Sequence, residues 1–216
     1  MIGLVAAVIG GATALAAWLH WRRFMVPITV AAGAVAVVGV VIALIVGFIP
    51  AARDWIFPLV LIAGLGMFAF AMRWDMSDRE RKTRRADVAF WLHLAAAPMI
   101  AHALFHMLGV FDEQISLPVA IVVLALYCVF AFVALAVDRR ALLVSSLAYV
   151  LYALFSLFNT AGAVEMAWAL TGLVIGSALL MLSAFWHTMR GLVVGLLGGL
   201  AERLPPVGRV PVAIPA

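Results

Sequence analysis

Seven stretches of 17 to 24 residues without a single Asp, Glu, Lys or Arg run through this chain, and no other feature limits its fold so tightly. They lie at about 2–19, 26–49, 56–72, 88–110, 117–137, 141–158 and 166–187. A bilayer core of about 30 Å is crossed by about 20 apolar helical residues, and lipid tolerates only segments that satisfy their own backbone hydrogen bonds. The spacing therefore predicts an all-α polytopic transmembrane bundle of seven spans. Composition closes the other routes: 68% of the residues are hydrophobic and 11% charged. A disordered tail, a nucleic-acid module and a water-soluble enzyme all need more polar surface than that.

The connections carry the orientation. Arg22 and Arg23 follow the first run; Arg73, Arg79, Arg81, Lys82, Arg84 and Arg85 the third; Arg139 and Arg140 the fifth; Arg190, Arg203 and Arg209 the seventh. The alternate connections hold only Arg53, beside Asp54, Asp112, Glu113 and Glu165. Because cytoplasmic loops retain Lys and Arg, the N-terminus is expected outside and the C-terminus inside. The tryptophans agree, since indole prefers the headgroup level: Trp18, Trp21, Trp74, Trp91 and Trp186 fall at expected cytoplasmic ends, Trp55 and Trp168 at outer ends. The first run has no basic residue before it, so it reads as a retained span rather than a cleaved leader. Cys128 has no second cysteine to pair with in the chain.

The expected organisation is a transmembrane domain over 1–190, interrupted by a basic cytoplasmic loop at 73–87, and a terminal segment at 191–216. Ser77 with Glu80 suggests a capping box, and Asp78/Lys82 and Glu80/Arg84 stand four apart, so 73–87 is expected to hold a short surface helix. It is the candidate contact for anionic lipid headgroups. The apolar, Gly-rich stretch 191–204 is too short to span and precedes Pro205 and Pro206, which predicts an interfacial helix with a frayed tail.

With no charged side chain inside a span, chemistry at membrane depth falls to His, Tyr, Cys128 and neutral polar groups. His102 and His106, four apart, project from one helix face and would offer two imidazoles to zinc. Asp112, Glu113, Glu165 and Asn159 are the residues expected near the same membrane side. His93 is nine residues earlier, about 180° around the helix, and cannot join that pair. His93 and His187 both lie near cytoplasmic ends, the arrangement a b-type haem would use. No cofactor is expected in the leading reading; zinc and haem belong to these alternatives.

Ser145, Tyr149, Tyr152, Ser156 and Asn159 recur at steps of four and three on the sixth run, within an arc of about 80°. Hydroxyl and amide groups in hydrocarbon need partners, so this stripe reads as helix-to-helix glue or as the wall of a solute path. Gly172 and Gly176 form a small-xxx-small pair that suggests close helix packing or dimerisation.

The segment DRERKTRRADVAFWLHLAAAPMIAHALFH, from Asp78 to His106, together with DRRALLVSSLAYVLYALF, from Asp138 to Phe155, resembles a group of bacterial multi-pass inner-membrane proteins with no assigned reaction. The resemblance implies a bacterial cytoplasmic membrane location and carries no site or ligand. The histidine pair also resembles that of membrane hydrolases that use intramembrane histidines and an aspartate with zinc, from which this chain departs in having no aspartate inside a span. The expected function is a non-enzymatic transporter-like or accessory bundle with the bilayer, and a second copy or another membrane protein, as its partners. The alternative is a metal-binding protein or membrane-embedded metal-dependent enzyme built on His102 and His106. Nucleic acid is not an expected partner.

Overall fold

A computed structural model of the chain describes residues 2–110, 116–160, 162 and 166–207. They form eight α-helices: α1 (Ile2–Phe24), α2 (Pro27–Phe48), α3 (Ile56–Ser77), α4 (Arg84–Met107), α5 (Leu117–Val137), α6 (Ala141–Thr160), α7 (Ala167–Ala184) and α8 (Trp186–Leu196). Two short 3₁₀ segments, Pro50–Trp55 and Gly198–Arg203, complete the described elements. The first seven helices are each long and apolar enough to cross a membrane. The protein is thus a helical, multi-pass membrane protein by length and composition of its spans.

Helix ends follow local chemistry. Proline opens α2 and sits in the first turn of α5, where its missing amide proton would have had no intrahelical acceptor. Thr83 caps α4 by accepting from the Arg85 amide at 3.2 Å. α5 ends on Asp138 in the left-handed conformation, φ 56° and ψ 45°, an unusual role for a residue with a side chain.

The chain divides into two compact units. The first holds residues 2–74 and 83–109, that is α1, α2, most of α3, and α4. Its α1–α2 hairpin closes on small residues: a Cβ at Gly3 would lie 2.9 Å from the Ala43 carbonyl, and one at Gly10 2.7 Å from Val40 Cγ2. α3 meets α4 the same way, because a Cβ on Gly64 would sit 3.0 Å from Met99 Cβ. Such approaches raise dispersion contact without a hydrophobic drive between helices, which lipid removes. α4 is the most enclosed span, with Val88, Ala89, Leu92, Ala96 and Phe105 wholly buried.

The second unit holds Asp75–Lys82 and the described residues from Val110 onward. There α5 packs on α6, α6 on α7, and α8 returns onto α5. Ala134, Leu135, Leu143 and Trp186 form a core at one end of these helices.

Three sequence expectations are corrected. No separate helix forms in 73–87: α3 runs on to Ser77, a turn follows, and Thr83 starts α4. Helix continuity wins because Arg73 and Trp74 are tolerated at a span end, and Glu80 pairs with Lys82 two residues away instead of with Arg84. The terminal helix starts at Trp186, not after Arg190, and Leu204 and Pro205 are buried, while the expected frayed tail from 208 onward lies outside the described residues. Gly172 and Gly176 make no close packing within the second unit, where a Cβ at either would meet open space.

Candidate functional site

The densest polar chemistry lies in the second unit, where the turn after α3, the α5–α6 turn, α8 and residues 204–206 converge. Asp75, in the last turn of α3, is 1% exposed and receives a forked pair of bonds from Arg139, Nη2 at 2.6 Å and Nε at 3.3 Å. Planar guanidinium and carboxylate match in that geometry, which lysine cannot reproduce. Asp138 carries the second half. Its Oδ2 accepts from Arg81 Nη1 at 2.7 Å, and its Oδ1 accepts from Trp186 Nε1 at 2.9 Å and lies 3.7 Å from Arg190 Nε.

Arg81 also donates from Nη2 to the carbonyls of Val137 and Asp138, satisfying two orphan acceptors at the end of α5. Arg190, 2% exposed, donates to the Pro205 and Pro206 carbonyls at 2.5 and 2.9 Å. Arg79 Nε donates to the Leu204 carbonyl at 3.1 Å. Burial pulls the Arg190 guanidinium below its ordinary value; Asp138 opposes that shift and Arg81 adds to it. The guanidinium stays charged at any physiological pH. Arg140 lies with its guanidinium carbon 4.5 Å from the centre of the Trp186 ring. Trp186 is therefore a buried joint between Asp138 and Arg140, not the headgroup anchor its position in the sequence suggests.

This knot escapes a reading based on loop charge alone, which treats every cation as a topology signal. The signal that was present is the acidic residue between apolar run and basic pair, in Asp138-Arg139-Arg140, and Asp75 as the first acidic residue after the third run, ahead of Asp78 and Glu80.

The α6 stripe is where the periodicity places it, on one flank of the helix. The buried ridge of α6 is a different line, Leu142, Leu143, Ser146, Val150, Ala153 and Leu154. The stripe is centred about 120° from that ridge at 100° per residue. Ser145, Tyr149 and Ser156 are half-buried, and Tyr152 is 42% exposed and Asn159 exposed. Ser146, on the ridge, spends its hydroxyl on the Leu142 carbonyl at 2.7 Å within its own helix.

His102 and His106 share one exposed face of α4 in the first unit, their rings 6.0 Å apart. Phe57 stacks on His106 at 3.6 Å between centroids and meets His102 at 5.9 Å. Among the described residues no third His, Cys, Asp or Glu joins them. Asp112, Glu113 and Glu165 lie outside the described residues, and Asn159 belongs to the second unit. His93, 2% exposed, meets the Phe68 ring edge-on at 4.9 Å within the first unit, while His187 is exposed on α8 in the second.

Apolar grooves open on these helices, among them one in each unit. One, of about 500 Å³, runs between α2 and α3 and is walled by residues such as Val41, Ile45, Leu59 and Met67, with no polar side chain. The other, of about 220 Å³, lies between α6 and α7 and ends at Arg140, Ser183 and Trp186.

Compared with known protein families, characterised proteins and solved structures, the chain matches none.

Proposed function

We propose that this chain is a non-enzymatic protein of the bacterial cytoplasmic membrane, N-terminus outside and C-terminus cytoplasmic, serving as a small transporter-like or accessory bundle, and that the accessory role fits best. Tyr152 carries that preference. It stands twelfth in the 20-residue α6, hence near mid-depth, yet is 42% exposed, and the stripe continues to the exposed Asn159. A phenol facing hydrocarbon without a partner costs on the order of 1–3 kcal/mol, so a neighbouring membrane helix is the natural cover.

A photo-cross-linking residue at position 152, with Val144 as the control on another exposed face, tests this in native membranes. A discrete protein adduct at 152 and none at 144 is the expected result, and lipid-only adducts at both positions remove the accessory role. In the transporter reading the same stripe lines a path, and Tyr149→Phe with Tyr152→Phe would abolish uptake of a neutral solute while folded levels stay unchanged.

The exposed face shared by His102 and His106 favours a second reading, an outer-face metal centre. Metal analysis of purified protein decides it: stoichiometric zinc lost in the double Ala variant supports that reading, and metal content unchanged by the substitutions removes it.

A further inference from the structure

We propose that the slot between α6 and α7 is a binding site for one anionic phospholipid, its phosphate held by Arg140 and one acyl chain laid along the slot. The site rests on the chain being membrane-embedded and is independent of whether its role is accessory or transport.

The walls are apolar and come from both helices: Leu143, Val144 and Leu147 from α6, and Leu179 and Leu182 from α7. Val144 is 66% exposed, so the slot opens sideways toward the bilayer and a chain can enter it without unpacking the helices. Its polar groups are gathered at one end. Arg140 immediately precedes α6, Ser183 lies in the last turn of α7, and Trp186 opens α8. An apolar trench with a cation and a hydroxyl at its mouth has the polarity of a phospholipid, chain inward and phosphate at the interface.

Charge complementarity selects an anionic headgroup. Five arginines meet at this end of the unit, Arg79, Arg81, Arg139, Arg140 and Arg190, against the carboxylates of Asp75, Asp78 and Asp138, with Glu80 paired to Lys82. Those carboxylates are engaged: Asp75 by Arg139, Asp78 by the Lys82 amide, Asp138 by Arg81, Trp186 and Arg190. Arg140 is exposed and rests on an indole face, which orients a guanidinium without neutralising it. Its donors remain to take two phosphate oxygens in the forked geometry that guanidinium favours. In the 73–87 loop, Arg79 and Arg81 are committed to carbonyls and a carboxylate and Lys82 to Glu80, while Arg84 and Arg85 stay exposed.

The test is competition between phosphatidylglycerol and phosphatidylcholine of identical acyl chains for the purified full-length protein, read by native mass spectrometry as the ratio of bound species. Wild type is expected to retain one phosphatidylglycerol in preference. Arg140→Gln should lower that preference about fivefold, the equivalent of about one basic residue at a membrane surface. Val144→Trp, at an exposed position that leaves the fold intact, should displace both lipids by filling the slot. Equal retention of the two lipids by wild type would overturn the proposal. So would an unchanged ratio in Arg140→Gln, displacement of the lipid by inorganic phosphate alone, or a second copy of the chain occupying the slot at the expense of lipid.

Discussion

Arg81 and Asp138 both adopt left-handed backbone, with φ of 54° and 56°, and their side chains meet at 2.7 Å. For residues other than glycine that conformation is strained, and two strained residues held to one another are held by the contact. Asp138→Asn keeps the shape and the capping backbone but leaves Arg81 and Arg190 facing an uncharged amide. Arg81 and Asp138 are part-buried, 29% and 26% exposed, so the loss should stay below the about 3–5 kcal/mol of a fully buried pair, but the buried Arg190 is left without its carboxylate and reversible unfolding in detergent should show a clear loss. Asp138→Gly relieves the backbone yet loses the same charge, and it should remain clearly less stable than wild type.

The Asp75–Arg139 fork calls for a double-mutant cycle. Asp75→Asn and Arg139→Lys are each expected to destabilise. Their combination should cost less than the sum, by a coupling of about 1–3 kcal/mol. Additive losses in the same unfolding measurement would mean the pair contributes no direct stability.

Arg190→Lys should introduce a pH dependence at this position, where arginine does not titrate. Burial lowers the affinity of this position for a proton. A lysine there binds fewer protons in the folded protein than in the unfolded chain, so stability rises with pH. The unfolding midpoint of the variant should fall below wild type near neutrality and recover as pH climbs toward about 10. A profile identical to wild type would show that the site does not penalise charge.

Glycines that look alike in sequence should respond in opposite ways. Gly64→Ala puts a methyl 3.0 Å from Met99 Cβ and 3.1 Å from the Ile100 amide nitrogen, so α3 and α4 must part. Overpacking of that kind costs about 1–3 kcal/mol. Gly172→Ala and Gly176→Ala meet open space and should be neutral or gain about 0.5–1 kcal/mol of helix propensity.

That contrast marks what is legible in a chain of this kind. Span number can be read because each span depends on a local run of apolar residues; α5 begins at Leu117 and ends at Val137, as the run predicts, whereas α3 continues to Ser77 and α4 starts at Arg84, into the basic segment between them. The α6 stripe is equally local, since Ser145, Tyr149, Tyr152, Ser156 and Asn159 share a face whatever surrounds them. Which face is buried depends on neighbours that sequence order does not reveal, and the ridge through Ser146 and Val150 was hidden for that reason. The same holds for Asp138, whose partners lie 57, 48 and 52 residues away in the chain, at Arg81, Trp186 and Arg190. The Gly172 and Gly176 pair fits a packing motif, but a motif states only that close approach is allowed.

The most direct test of the whole account is membrane sidedness. In a Cys128→Ser background, a single cysteine at Arg53 and another at Arg203, both exposed positions, are probed with a membrane-impermeant maleimide. Position 53 should label in intact cells and position 203 only after permeabilisation. Labelling of position 203 from outside, with position 53 protected, would contradict the account.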